Sequence, residues 1–333
     1  MSTFLRCFEN YIMLLGFDIG GTKCAAVLGA KNGNGKIEII EKVTLPTDQP
    51  VMEMIAALFT AAENLMEKNA IAKDSIEAIG ISCGGPLNSK RGVILSPPNL
   101  PGWDNIPIVE MAEKRFGKKA TLQNDANACA VAEWKYGAGK GFNNVIFLTF
   151  GTGMGAGMIL DGHLYSGSSD SAGEVGHMRL LETGPVGFGK AGSFEGFCSG
   201  GGIAQLAQIK ARELLQMGET TSFCSGIDGL PLITAKSVAA AAYAGDEAAI
   251  EVYKTSGRYL GKGLSVLTDI LNPELIILGG IYCRAQSLIE PAMKAVIQQE
   301  VLPVAYKACS IVPAALGENI GDIAVLALAD MAK

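Results

Sequence analysis

The 333-residue sequence contains no Cys-x-x-Cys pair, only two histidines and two tryptophans, and no excess of basic charge. Its eight cysteines stand singly at 7, 24, 83, 129, 198, 224, 283 and 309. That spacing indicates neither a paired-cysteine zinc site nor a disulfide framework, and fits free thiols in a reducing cytosol. Lys and Arg number 27 against 33 Asp and Glu, a net charge of −6. A nucleic-acid binder would carry a basic face, so that class is disfavoured. No apolar run approaches the ~18 residues of a membrane span. Residues 1–12 lack a basic start and a long apolar core, because Glu9 and Asn10 interrupt it, so a secretory signal is not expected. They read as a leader ahead of a start at Met13 or as a short ordered extension. What remains is 49% hydrophobic and 18% charged, a globular composition long enough for about two domains.

Two glycine-rich turns, each after an apolar run, stand out: Phe17-Asp-Ile-Gly20-Gly21-Thr22-Lys23 and Phe150-Gly151-Thr152-Gly153-Met-Gly155. Glycine lets backbone N–H groups approach a phosphate, and a threonine hydroxyl or lysine ammonium adds a donor or a charge. The first turn fails the Walker A pattern because Lys23 follows Thr22 rather than preceding it. The second satisfies Gly-x-Gly-x-x-Ala, but that fingerprint demands a following helix, and Met158–Leu160 reads as a strand.

Apolar runs and turn signals predict strands over 11–17, 24–30 and 36–43, a helix over 51–68 and a buried strand over 76–82. A long Pro/Gly-rich loop over 84–107 has the length of a functional segment. A helix over 108–116, a strand over 120–123 and a helix over 126–134 follow. A strand over 145–150 then leads through the second turn to 157–160 and Asp161-Gly162. Residues 183–202 are glycine-dense and aperiodic. Helices are expected over 203–216, 234–243, 246–271 and 323–331, with a strand over 275–278. The strand–strand–strand–helix–strand order recurs loosely from residue 145, a topological repeat of α/β type.

Asn124-Asp125-Ala-Asn127 lies where a strand gives way to a helix. Asp125 there serves as a helix cap, as a base that takes a proton from an attacking alcohol, or as both. Ala172-Gly-Glu174-Val-Gly-His177 places one of the two histidines three residues after a glutamate between glycines. A lone histidine is more often structural than catalytic, and Glu195, in Ser193-Phe-Glu-Gly196, is on its own a solvated loop carboxylate.

With Pro98-Asn-Leu-Pro-Gly-Trp103 and Leu278-Gly279-Gly280, these motifs stand in an order that resembles the ROK family of repressors and sugar kinases, from about Leu14 to the C-terminus. The resemblance implies an α/β, two-lobed actin-like ATPase (ribonuclease H-like) fold with a duplicated mixed-sheet core. The smaller lobe would comprise 13–122 plus 317–333, and the larger one 123–316. It implies an ATP- and Mg²⁺-dependent hexose kinase, glucokinase-like, cytoplasmic, with homodimerisation suggested by the family and a small-molecule sugar as its partner. Asp125 would be the general base towards a sugar hydroxyl, expected to be the one at C6. Gly85, Asn124, Glu174, His177 and Glu195 would hold the sugar. Asp18, Gly20, Gly21, Thr22, Lys23, Gly151, Thr152 and Gly153 would serve the nucleotide phosphates, with Gly279 and Gly280 near the adenosine. Asp18 would position Mg²⁺ through water.

The sequence departs from the family where many members carry His plus Cys-x-Cys-x4-Cys for zinc. Val186, Phe188 and Ser193 stand in place of the cysteines, so no zinc site is expected, and apolar packing by Val186 and Phe188 is expected to position Glu195 instead. Gly84 stands where proline is frequent, and Asp170-Ser171 where glycines are. The alternatives are a sugar-binding regulator, disfavoured by only 17 residues ahead of Asp18, and a kinase-like protein without activity, disfavoured by the presence of Asp18, Lys23 and Asp125.

Overall fold

β1 (Ile12–Ile19) alternates strictly: Met13, Leu15, Phe17 and Ile19 belong to one buried cluster, while Leu14, Gly16 and Asp18 face the other way. The computed structural model describes residues 11–332. The leader or extension expected over 1–12 therefore lies outside the described residues except for Tyr11 and Ile12. Two compact units make up the chain. The first comprises the residues up to Gly141, with Leu164–Ala172 and the segment from Ala315; the second comprises Phe142–His163 and Gly173–Ala314.

In the first unit, β1, β2 (Lys23–Lys31) and β3 (Ile37–Pro46) form an antiparallel meander. α1 (Val51–Lys68) crosses over to β4 (Ile76–Cys83), which lies parallel to β1. The long loop carries the hairpin β5 (Leu87–Asn88) and β6 (Val93–Ile94) before α2 (Ile108–Phe116) and β7 (Ala120–Gln123), parallel to β4. The sheet order is β3-β2-β1-β4-β7.

One face of that sheet is closed by α1 and α2, where Phe17, Phe59 and Phe116 meet with ring centroids 5.2–5.8 Å apart. The other face is covered by the C-terminal helix (Ile320–Met331), which also packs on α3 (Asp125–Tyr136). Glycine at position 80 permits that approach, since a Cβ there would lie 1.9 Å from the Val325 carbonyl oxygen. Glu133 of α3 is fully buried, and its carboxylate accepts the Ala138 N–H (2.8 Å) and the Leu316 N–H (2.9 Å). It thereby fixes the chain shortly before the exit after Gly141 and just after the final re-entry at Ala315.

The second unit repeats the plan. β8 (Val145–Phe150), β9 (Met154–Leu160) and β10 (His163–Leu164) lead the sheet. A minor hairpin follows, β11 (Val186–Gly187) and β12 (Lys190–Ala191). The helices α4 (Phe194–Cys198), α5 (Gly200–Gln216), α6 (Ala235–Tyr243) and α7 (Glu247–Leu271) come next. β13 (Leu275–Leu278), α8 (Ile281–Glu300), α9 (Pro303–Ala308) and β14 (Ser310–Pro313) complete it. The order β10-β9-β8-β13-β14, with β13 parallel to both β8 and β14, matches the first sheet strand for strand. The duplicated mixed-sheet core expected from the sequence is present.

The sequence reading omits α8, α9 and β14, and starts α5 at 203 instead of Gly200. α8 buries Tyr282, Ala285, Ile289, Met293 and Ile297 at helical spacing, but Pro291 and a kink at Ala285 (φ −128°, ψ 25°) interrupt it. The sequence after Gly153 is strand β9, not a helix, so the dinucleotide fingerprint does not apply.

Candidate active site

Both glycine turns are hairpin tips at corresponding places in the two sheets. β1 ends at Ile19 and β2 begins at Lys23, so Gly20, Gly21 and Thr22 form the first tip, closed by Gly20 N–H to Lys23 C=O at 3.1 Å. The Thr47 hydroxyl donates to the Gly20 carbonyl at 2.7 Å and steadies it. Gly21 is pressed by the long loop: a Cβ there would lie 2.3 Å from the Asn99 carbonyl oxygen. Thr22 and Lys23 are exposed.

Asp18 lies one residue before that tip's strand end, on the sheet face that carries the C-terminal helix; a Cβ on Gly321 would be 3.8 Å from its Oδ2. Burial pushes its carboxyl up to about 6 from the ordinary 3.8, and the charges of Asp125 and Asp322 push the same way, while Lys42 and Lys23 oppose them. Asp322 is itself buried and paired to Lys42 at 2.6 Å. Asp125 opens α3. Asn124 caps the helix by accepting the Asn127 N–H at 2.7 Å, and Asp125 Oδ1 accepts the Ala126 N–H at 2.8 Å while the residue stays exposed. Capping and an accessible carboxylate therefore coexist here. Gly85 is exposed in the loop after β4.

In the second unit, Gly151, Thr152 and Gly153 form the tip, with Gly151 N–H to Gly153 C=O at 3.0 Å. Gly279 follows directly on β13 and Gly280 caps α8 with φ +58°, where a Cβ would lie 1.8 Å from the Phe150 carbonyl oxygen. The start of α5 also meets this tip, through Gly200 N–H to Gly151 C=O at 2.9 Å. Helix N-termini beside a glycine tip suit an anion. Glu195 Oε2 accepts the Met154 N–H at 2.8 Å, which fixes the carboxylate against the same hairpin. Glu174 is exposed and begins a single 3-10 turn, Val175–His177, in which its carbonyl accepts the His177 N–H.

One expectation is corrected. Val186 is 46% exposed and Phe188 72% exposed, so neither packs as a core that positions Glu195. Phe188 meets His177 edge-on instead, ring centroids 5.3 Å apart, and Lys190 donates to the His177 carbonyl at 2.7 Å. Glu195 is placed by its helix: the buried Ser193 caps α4 by accepting the Gly196 N–H at 3.1 Å. Sequence reasoning gave Asn99 no role beyond its place in the Pro98–Trp103 motif, and it missed Lys42, Asp322 and Gly200. The run Ser199-Gly-Gly-Gly202 was a legible signal for the last of these, whereas Lys42 and Asp322 are 280 positions apart.

The duplicated sheets and paired glycine tips define an α/β protein of the actin-like ATPase fold. The ROK family matches residues 14–332, and the chain belongs to that family. It is 32% identical over 330 residues to a glucokinase of Streptomyces coelicolor, covering 96% of this chain and 98% of that protein. The transcriptional repressor Mlc of Escherichia coli is 27% identical over 88% of this chain and 69% of its own length. Among solved structures, a ROK family glucokinase from Streptomyces griseus in complex with glucose and AMPPNP superimposes with a TM-score of 0.73. It is 29% identical, with 96% of this chain and 99% of that one covered.

Proposed function

We propose that the protein is an ATP-dependent hexose kinase that transfers the γ-phosphate to a sugar hydroxyl, the one at C6. The observation that carries this reading is the exposed Asp125 carboxylate, held by its own helix N-terminus in the unit that carries Asp18. Its similarity to glucokinases over nearly its whole length supports the reaction class.

Asp125 accepts the hydroxyl proton as the sugar oxygen attacks the γ-phosphorus, and ADP leaves with the electron pair of the broken P–O bond. Gly85, Asn124, Glu174, His177 and Glu195 hold the remaining hydroxyls. The tips at Gly20–Lys23 and Gly151–Gly153 serve the phosphates with backbone N–H groups, and Gly279–Gly280 serve the adenosine. Among the described residues, no three His, Cys, Asp or Glu side chains are grouped to hold a metal ion by themselves. Mg²⁺ that arrives with nucleotide phosphates needs no such cage. Asp18 fits it: burial first, and then the charges of Asp125 and Asp322, raise its proton affinity, and a cation would offset that carboxylate repulsion. Bound there through water, Mg²⁺ would neutralise charge on the phosphates.

Coupled ADP release across glucose, mannose, fructose, allose, N-acetylglucosamine and N-acetylmannosamine tests the proposal. Turnover on at least one sugar, with phosphate on C6 by NMR, is expected. Its repressor relative favours the second reading, a sugar-binding regulator. Calorimetric sugar binding without ADP release would select it.

A further inference from the structure

Leu164–Ala172 belongs to the first unit although the chain on either side of it belongs to the second. Two side-chain links hold it there. Asp170 receives two hydrogen bonds from one residue of the long loop, from Ser89 N–H to Oδ2 at 2.8 Å and from the Ser89 hydroxyl to Oδ1 at 2.6 Å. Asn127, two residues after Asp125 on α3, donates from Nδ2 to the Ser166 hydroxyl at 3.3 Å. The excursion is closed on itself by Ala172 N–H to Ser166 C=O at 3.1 Å. Asp170 adopts φ +57°, a left-handed conformation that aspartate tolerates better than most residues.

Ser89 follows directly on β5, and its carbonyl accepts the Gly92 N–H in the turn that returns to β6. The hairpin is tied to its own loop by Leu95 N–H to Pro86 C=O at 2.9 Å. Gly85 lies at the open end of this hairpin, where no atom would stand within 4 Å of an added Cβ. Space is open on the side where a side chain at Gly85 would stand, and the hairpin bond from Leu95 N–H to Pro86 C=O ties its neighbour to β6.

We propose that Asp170 is a positioning residue for the sugar site. Its clasp on Ser89 fixes the Gly85 loop in register with Asn124 and Asp125, through the shared segment 164–172. The inference rests on the hexose-kinase reading and deepens it. A charged acceptor with two bonds to one residue is a directional link, stronger than a neutral bond. Loosening it disperses the loop before sugar binds, and the cost of ordering it again appears in sugar affinity.

The test compares Asp170→Ala, Asp170→Asn and Ser89→Ala with the intact chain in coupled ADP release, on whichever sugar the intact chain turns over. Asp170→Ala is expected to raise the sugar KM roughly tenfold and to leave the ATP KM within about twofold. Ser89→Ala, which keeps the backbone bond, has a smaller effect, and the double variant is no worse than Asp170→Ala alone. Asp170→Asn, which still accepts through one oxygen, recovers part of the loss. Equal rises in both KM values, or an unchanged sugar KM, would overturn the clasp. Amide hydrogen exchange over 84–96 reads the clasp without activity: faster exchange in Asp170→Ala is expected, and unchanged exchange contradicts it. An intact chain that turns over no sugar would instead count against the kinase reading and leave the exchange result to decide the clasp.

Discussion

Replacing Asp18 by asparagine is expected to stabilise the protein while it destroys activity. The carboxyl ionises near 6 in the folded chain against 3.8 ordinarily, because it is partly buried beside Asp125 and Asp322. Below about pH 4 it is protonated in both folded and unfolded chains and costs nothing. Between roughly pH 4 and 6 only the unfolded chain ionises it, so the cost to the fold grows, and above 6 it is constant. At about 1.4 kcal/mol for each tenfold in proton affinity, the full cost is on the order of 3 kcal/mol. Asparagine keeps the shape and removes the charge. Differential scanning calorimetry without metal or nucleotide should show Asp18→Asn melting higher than the parent at pH 7.5, by about 4 °C. The gain should shrink to about half at pH 5. A variant that melts lower at pH 7.5, or a gain that does not vary with pH, would refute the electrostatic reasoning.

Three further outcomes follow from particular contacts. Glu133→Gln puts an amide NH₂ against either the Ala138 or the Leu316 N–H, and urea unfolding should show a loss of about 1–3 kcal/mol. Ser193→Ala removes the α4 cap and should cost about 1 kcal/mol, with a rise in sugar KM because Glu195 lies two residues on. Gly280→Ala meets the Phe150 carbonyl at 1.8 Å and forces φ +58° on alanine, so nucleotide affinity measured by calorimetry should fall at least about tenfold.

Elements with strong local patterns were legible in the sequence. α1 shows Met54, Leu58, Ala61 and Leu65 on one face, and the structure buries all four. The first glycine tip was legible because strands flank it on both sides. α8 was not, although its buried residues recur at helical spacing, because Pro291 and the polar stretch around Arg284 and Gln286 break the visible pattern. β14 is a four-residue edge strand ending in proline, with too little alternation to read. The expected role of Val186 and Phe188 failed for a related reason: hydrophobic type alone does not say which residues of a two-residue-strand hairpin face solvent. Long-range partners such as Lys42 with Asp322 and Ser89 with Asp170 depend on tertiary placement, and no local spacing announces them.

The most direct measurement is the turnover rate of Asp125→Asn beside that of the intact chain, on the best sugar of the panel, with ATP and Mg²⁺. Loss of the base should lower kcat by about 10²–10⁴-fold. Sugar binding by calorimetry should stay within about threefold, because the Asn124 cap and its bond to the Asn127 N–H are retained. Equal turnover by the two proteins, or none by either on any sugar, would contradict the role assigned to Asp125.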